Sequence, residues 1–527
     1  MTNTETPLNK EGPNQVLSQD FKTAIWQGGE LIRDSLINYG SLVICGVVGL
    51  LLVPAMVHGL GVPAYGLWIT ANAIATLFSA MDFGVGWAVT REVGAVRQVE
   101  IPIDTGRFVR SAANVAILLA VCCTVATTLV AIPMSARLQL TPGLGRVAPV
   151  VFFLAGVTLA GDFLFDYTSC VLAGLGRFGV IAFFSACGTT LRAGGVIFLL
   201  SQKASLVVVA TWWAVCQLSV AISSLVVVGR IRPSYSFELR WPRWRSLSPH
   251  ISFSLMSMVV TTLHQVFWTL PTLMIPLLRG SAALVPYHLG QKLPTASQGF
   301  SRSGGRVLYA SSGICSQSAE EDLHMLRVAM RWNALIMLPA SVMFIVFARV
   351  FLGLWLGQPS PESLTVMRIV SATVFLDSLC SPALFFLWGR GSVKLILHLA
   401  MIGLITSIGT GLLLVRTLGV SGAAWGLFIG VVAMAVPLTY VIFRRYGLAI
   451  STLADGARGF TFSGILCVVT SISAMYFVTP SNWLALLASI LPCVLLFLAS
   501  FYMWGATVGE RMAVWNVLNS FGQRVHE

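Results

Sequence analysis

The chain is written in long apolar runs separated by short polar breaks. Runs of membrane length fall near residues 37–57, 65–90, 111–133, 147–173, 178–200 and 205–228. After a basic interval they resume near 251–278, 327–356, 362–388, 393–415 and 419–443, with two more near 459–478 and 482–505. About 20 consecutive apolar residues cross a bilayer as a helix, whereas a barrel needs roughly ten-residue strands of alternating polarity. The pattern predicts an all-α polytopic membrane protein.

One interval of membrane length breaks the pattern. In residues 281–312, His288, Lys292, Thr295, Gly299, Arg302 and Arg306 follow one another by four, three, four, three and four residues. That spacing is a single face of an α-helix, and the face is polar and cationic. A Lys or Arg at the centre of a membrane helix costs roughly 2.5–3.5 kcal/mol on insertion scales. Three turned to lipid would cost on the order of 8–10 kcal/mol, so the face must look onto water or protein.

Loop charge decides whether the interval crosses. With a cytoplasmic N-terminus, the inner loops receive Arg91, Arg97, Arg107, Arg110, Arg177 and the Arg230–Arg245 cluster, then Arg327, Arg390, Lys394, Arg444, Arg445, Arg458, Arg511 and Arg524. The outer loops hold little beyond Arg137, Arg146, Lys203, Arg279 and Arg416. This positive-inside bias survives only if residues 281–312 span; otherwise the Arg390, Arg444 and Arg511 clusters move outside. The expected count is thus about 14 spans, with both termini cytoplasmic.

The halves repeat. Asp162, Leu164, Leu172, Gly174 and Gly176 match Asp377, Leu379, Leu387, Gly389 and Gly391 at one offset of 215 residues. Asn114 pairs with Asn333, and Pro63-Ala64-Tyr65 with Pro286-Tyr287. Two pseudo-symmetric six-helix lobes plus two C-terminal helices follow, as parallel repeats about an axis along the membrane normal. The division is a cytoplasmic tail with an interfacial helix over 1–34, a first lobe over 35–229, and a basic linker over 230–250. A second lobe covers 251–445, and the helix pair with its tail covers 446–527.

Composition narrows function mainly by exclusion. Hydrophobic residues make up 56% of the chain and charged residues 10%, against about a quarter charged in soluble proteins. The net charge of +13 is accounted for by the basic inner loops, so no nucleic-acid partner is expected. The ten cysteines sit mostly inside apolar runs without metal spacing and read as packing residues. No P-loop signature, D-x-D element or large outer loop is present, which argues against an ATPase, a glycosyltransferase or any enzyme.

Pro54, then Leu60-Gly61-Val62-Pro63-Ala64-Tyr65-Gly66, then Asp82-Phe83-Gly84-Val85-Gly86 with Arg91, resembles the opening of Wzx-type polysaccharide biosynthesis flippases. That family belongs to the superfamily of multidrug exporters (MATE) and the lipid II flippase MurJ. The L-x-G-x-G elements at Leu172–Gly176 and Leu387–Gly391 are similar to its helix-end turns. The resemblance implies a V-shaped cationic cavity between the lobes and export of polyprenyl-pyrophosphate-linked oligosaccharide across a bacterial cytoplasmic (inner) membrane. It also implies work alongside other polysaccharide-assembly membrane proteins. One departure stands out: the lipid II branch has basic residues in its first helix, where here only Arg33 approaches.

Roles follow for the polar residues. Lys292, Arg302, Arg306 and His288 would bind the pyrophosphate, since guanidinium forks and an ammonium suit a multiply charged oxyanion; the alternative is that the arginines merely snorkel. Asp377, Asp162 and Asp166 are intramembrane acids that would bind a coupling Na+ or H+, or else form a structural pair, for example with Arg192 or Arg368. No other cofactor is expected. Asp82 and Arg91 would gate or brace the second span. That span should face the polar one across the cavity, with Thr70, Asn72 and Asp82 lining a milder first-lobe surface. The competing readings are a cation-coupled multidrug exporter, which wants an acidic, aromatic cavity, and a non-transporting membrane scaffold of a glycosylation complex.

Overall fold

The computed structural model describes residues 37, 40–41, 43–79, 85–95, 103–138, 140–235, 244–314, 319–446, 450–478, 480–506 and 511. In order, the helices are α1 (Val43–Leu60), α2 (Val62–Ser79), α3 (Val85–Ala95), α4 (Ile103–Arg137), α5 (Pro142–Gly174), α6 (Phe178–Ser201), α7 (Leu206–Ile231) and α8 (Trp244–Arg279). Then come α9 (Leu284–Ile314), α10 (Ala319–Val346), α11 (Ala348–Leu356), α12 (Pro361–Gly389), α13 (Val393–Leu418), α14 (Val420–Tyr446), α15 (Ile450–Val478) and α16 (Trp483–Ser500). Among the described residues there is no strand, and 12 helices are long and apolar enough to cross a membrane. This is an all-α, multi-pass membrane fold. The polar interval is helical too, as α9.

Two boundaries differ from expectation. The run at 65–90 is two helices, α2 and α3, with 80–84 outside the described residues. The run at 327–356 breaks at Phe347, a fully buried ring between α10 and α11. Hydropathy does not see this break, because the residues on both sides are equally apolar. Helix α8 already begins at Trp244, inside the interval read as a linker.

The repeat is visible in the backbone. Arg177 N–H donates to the Leu172 carbonyl (2.8 Å) and Gly176 N–H to Ala173 (2.9 Å). At the same offset of 215, Ser392 donates to Leu387 (2.9 Å) and Gly391 to Trp388 (2.9 Å). Gly176 and Gly391 have φ of 70° and 71°, so both turns are Schellman caps that need a residue without a Cβ. N-terminal to this the offset is 219. Gly61 donates to Val57 and Gly280 to Pro276, Leu138 to Met134 and Gly357 to Gly353, Gly145 to Thr141 and Leu364 to Ser360. The change of four falls within α5 and α12, which have 33 and 29 residues: α5 carries about one extra helical turn. Packing repeats as well. Helix α4 lies on α5 as α10 lies on α12, α5 on α7 as α12 on α14, and α6 on α7 as α13 on α14.

Apolar burial joins the halves unevenly. One core joins both halves at the end where α1, α4 and α8 finish, through Leu52, Leu67, Leu138, Ile275, Leu284 and Leu352. At the opposite end the halves have separate cores. One is built on Val89, Phe108, Val171 and Val228, the other on Leu326, Phe386, Leu399 and Leu438. The halves thus share a core at one end and are separately cored at the other, where α3 still meets α8. Arg107, Arg177, Arg230, Arg390, Lys394 and Arg444 all lie toward the divergent end.

The C-terminal pair is fixed to α10. Arg331 donates to the Gly505 carbonyl (2.6 Å) in the π-helical turn Phe501–Gly505 and lies over the Phe460 ring (5.4 Å).

Candidate functional site: the polar face of α9

Helix α9 lies on α12 along one side and meets α2 near its start. The approach to α12 is close because Gly290 has no side chain. A methyl group there would sit 2.5 Å from the Ser363 carbonyl oxygen. The helix runs unbroken through Pro294, and Pro286 falls in its first turn, where no i−4 hydrogen bond is lost.

The face predicted to be polar begins at the lobe junction. The His288 ring stands edge-on to Tyr65 of α2, 6.0 Å between centroids, so α2 and α9 touch directly near their starts. One turn on, Lys292 is half-buried, and among the described residues its ammonium has no hydrogen-bond or ion-pair partner. The Thr295 hydroxyl is spent on the Gln291 carbonyl (2.8 Å). Arg302 and Arg306 continue the helix at the same spacing, while their side chains lie outside the described residues. The same holds for the Arg91 side chain and for all of Asp82.

Beside this face α9 joins α12 through polar contacts that spacing did not disclose. Gln298, buried, donates to Asp377 Oδ2 (3.4 Å). Asn333 of α10 donates to Ser301 Oγ (3.0 Å) and to the Ser378 carbonyl. Ser381, one turn from Asp377, keeps a buried hydroxyl with no hydrogen-bond partner among the described residues. Asp377 thus stands at a three-helix polar junction of α9, α10 and α12.

Its repeat mate has other company. Arg192 of α6 acts electrostatically on the Asp162 carboxyl, while among the described residues no hydrogen bond or ion pair joins the two; Arg368, on α12, is exposed. Arg192 donates to Gln217 Oε1 (2.6 Å) and lies over the Trp213 ring (5.3 Å). Trp213 in turn meets Trp68 of α2, 5.4 Å between centroids. Asp166, one turn on, is exposed. The structure does not gather the three acids: two are on α5 and one is on α12.

The first-lobe surface is drier than expected. Thr70 is fully buried and donates to the Gly66 carbonyl (2.8 Å); Asn72 donates to Trp68 (2.8 Å). Both side chains bond back to their own helix one turn earlier, the usual resort of short polar residues in apolar surroundings. They present less polarity to α9 than their residue types suggest.

Fold and site together define a two-lobed, multi-pass membrane protein with a half-buried lysine, Lys292, near the lobe junction. Among solved structures it is similar to the lipid II flippase MurJ in an inward closed conformation, with 12% identity over 90% of this chain and 98% of that one and a TM-score of 0.70. It is also similar to the MATE multidrug transporter DinF-BH, solved as a complex (13% identity, 80% and 97% covered, TM-score 0.61). A third is an outward-facing multidrug resistance MATE family transporter of the MOP superfamily (18%, 79% and 95%, TM-score 0.56). At these identities the likeness is one of fold. No protein-family model matches the chain, and no curated protein matches it.

Proposed function

We propose that the chain is a flippase of the MOP superfamily, of Wzx type, that moves polyprenyl-pyrophosphate-linked oligosaccharide across a bacterial inner membrane by alternating access. The observation that carries this reading is Lys292, an intramembrane cation at the lobe junction that no described side chain neutralises. A cation so placed favours an anionic guest, and pyrophosphate supplies several acceptor oxygens. Arg302 and Arg306 would extend the same face, with His288 at its closed end, while the polyprenyl tail stays in lipid. The basic divergent end would face the cytoplasm, with both chain termini on that side. The lobes would be 35–229 and 251–445, and 446–527 would hold the added helix pair. MurJ covers more of the chain than the MATE structures do, 90% against 79–80%, which supports placing that pair in a lipid-flipping branch.

For coupling, Asp377 is the stronger candidate. Its carboxylate and the buried Ser381 hydroxyl are oxygen donors on adjacent turns, which suit a proton or Na+. Asp162, which feels the Arg192 charge inside its own lobe, would be structural. Asp166 would mark a hydrated first-lobe surface, and Asp82 with Arg91 would gate. Other polysaccharide-assembly membrane proteins are proposed as neighbours.

The test is Lys292→Glu, Arg302→Glu and Arg306→Glu together in cells lacking the native chain. Surface polysaccharide should be lost and lipid-linked oligosaccharide should accumulate on the cytoplasmic leaflet; unchanged surface polysaccharide would sink the binding role. One observation favours a second reading, a cation-coupled multidrug exporter: neighbours of the same fold are multidrug transporters. Efflux of cationic dyes dependent on Asp377 would favour it.

A further inference from the structure

Where the halves share their apolar core, a few hydrogen bonds and one close backbone approach also join them. Ser281 N–H donates to the Leu138 carbonyl (3.3 Å), which lies just past the last turn of α4 and has no helical partner of its own. Trp355 Nε1 of α11 donates to the Leu50 carbonyl of α1 (2.8 Å). Between these bonds α2 presents Gly66 to the same Ser281. A methyl group on Gly66 would lie 2.3 Å from the Ser281 carbonyl oxygen and 2.8 Å from its carbon. Those are backbone atoms, and they cannot swing aside as a side-chain end would. Ser281 belongs to a short 3-10 turn, Ser281–Ala283, entered through Gly280 at φ 83°. The turn is therefore set by its own backbone before it meets the other half.

We propose that Gly66 and the Ser281 turn form a latch between the halves, which shuts because position 66 has no side chain and opens as the lobes rock. The chemistry suits repeated use. Opening breaks hydrogen bonds to the Leu138 and Leu50 carbonyls, and water at the membrane surface can replace the bond at the α4 terminus. Adding one methyl group blocks closure without touching the polar face of α9 or either acid. This inference rests on the alternating-access reading, and its test reads conformation in the absence of substrate.

Leu138, fully buried at the latch, is replaced by Cys in a background where the exposed Cys122 and Cys187 are Ser. The protein is held in nanodiscs with both faces accessible, and its rate of maleimide labelling is measured. Gly66→Ala should raise that rate at least about fivefold by shifting the population of open latches. It should also lower disulfide yield in a Tyr65→Cys/His288→Cys pair. Gly46→Ala on α1, where a methyl group meets nothing within 4 Å, should change neither reading. If Gly66→Ala does not fold, Trp355→Phe removes one latch bond while keeping an aromatic ring there and should raise labelling about twofold. Folded Gly66→Ala protein, or in its absence folded Trp355→Phe protein, with unchanged labelling and cross-linking overturns the latch. A latch that responds as described in a protein that exports nothing overturns the transport reading and leaves the latch standing.

Discussion

Asp162 and Asp377 occupy equivalent turns of α5 and α12, yet their neighbourhoods have diverged. The offset of 215 that relates the acids also relates Arg192 of α6 to Ser407 of α13. In the first lobe a guanidinium sits across from the acid, bonded to Gln217 and stacked on Trp213. In the second lobe the α13–α14 seam is drawn so tight that a methyl group on Gly430 would lie 2.7 Å from Ser407 Cβ, and one on Gly426 2.5 Å from Gly411 Cα. No guanidinium fits there. The second-lobe acid turns instead to Gln298 on α9, the helix that carries Lys292. Duplication has left one acid settled inside its lobe and the other tied to the cationic helix. An equivalent position is not an equivalent role.

The comparison can be broken most sharply at Arg192. Arg192→Leu should destabilise the protein by about 1.5–3 kcal/mol through loss of its charged bond to Gln217 and of its charge near Asp162, and Asp162→Asn in the same chain should restore part of it. The check is thermal unfolding in detergent. Equal losses in the single and double variants would mean that Arg192 acts without Asp162. Next in size, Asn333→Ala removes donors to Ser301 and Ser378 and should cost about 1–2 kcal/mol by the same assay. Ser407→Ala should cost under about 1 kcal/mol, because it keeps the small Cβ that the seam needs. The acids should separate by readout: Asp377→Asn abolishing export with little change in melting, and Asp162→Asn sparing export. The reverse pattern would transfer the coupling role to the first lobe.

Much of this fold could be read along the chain because bilayer thickness sets helix length and residue periodicity marks helix faces. Both rules act locally. They found α9, whose residues alone look unfit for a membrane, and the repeat followed from the turn glycines, which backbone conformation restricts. They could not find the break at Phe347, where both flanks are equally apolar. The back-bonding of Thr70 and Asn72 was likewise hidden, since the type of a polar side chain does not say where its hydrogen bond goes. The site was half legible. His288 and Lys292 lie on the predicted face. Gln298, Asn333 and Ser301, which tie that face to Asp377, depend on contacts across 32 to 79 residues. The same is true of Gly66, whose importance rests on a backbone brought to it from the other half.

The proposed role of the α9 face is to receive an anionic lipid headgroup. It is tested most directly by measuring binding of a polyprenyl pyrophosphate to the purified protein in nanodiscs, native and Lys292→Glu, with Lys292→Arg as control. Lys292→Glu should weaken binding at least about tenfold and Lys292→Arg only slightly, because a charge-assisted bond to phosphate is lost in the first and kept in the second. Equal affinity in all three proteins would contradict the account.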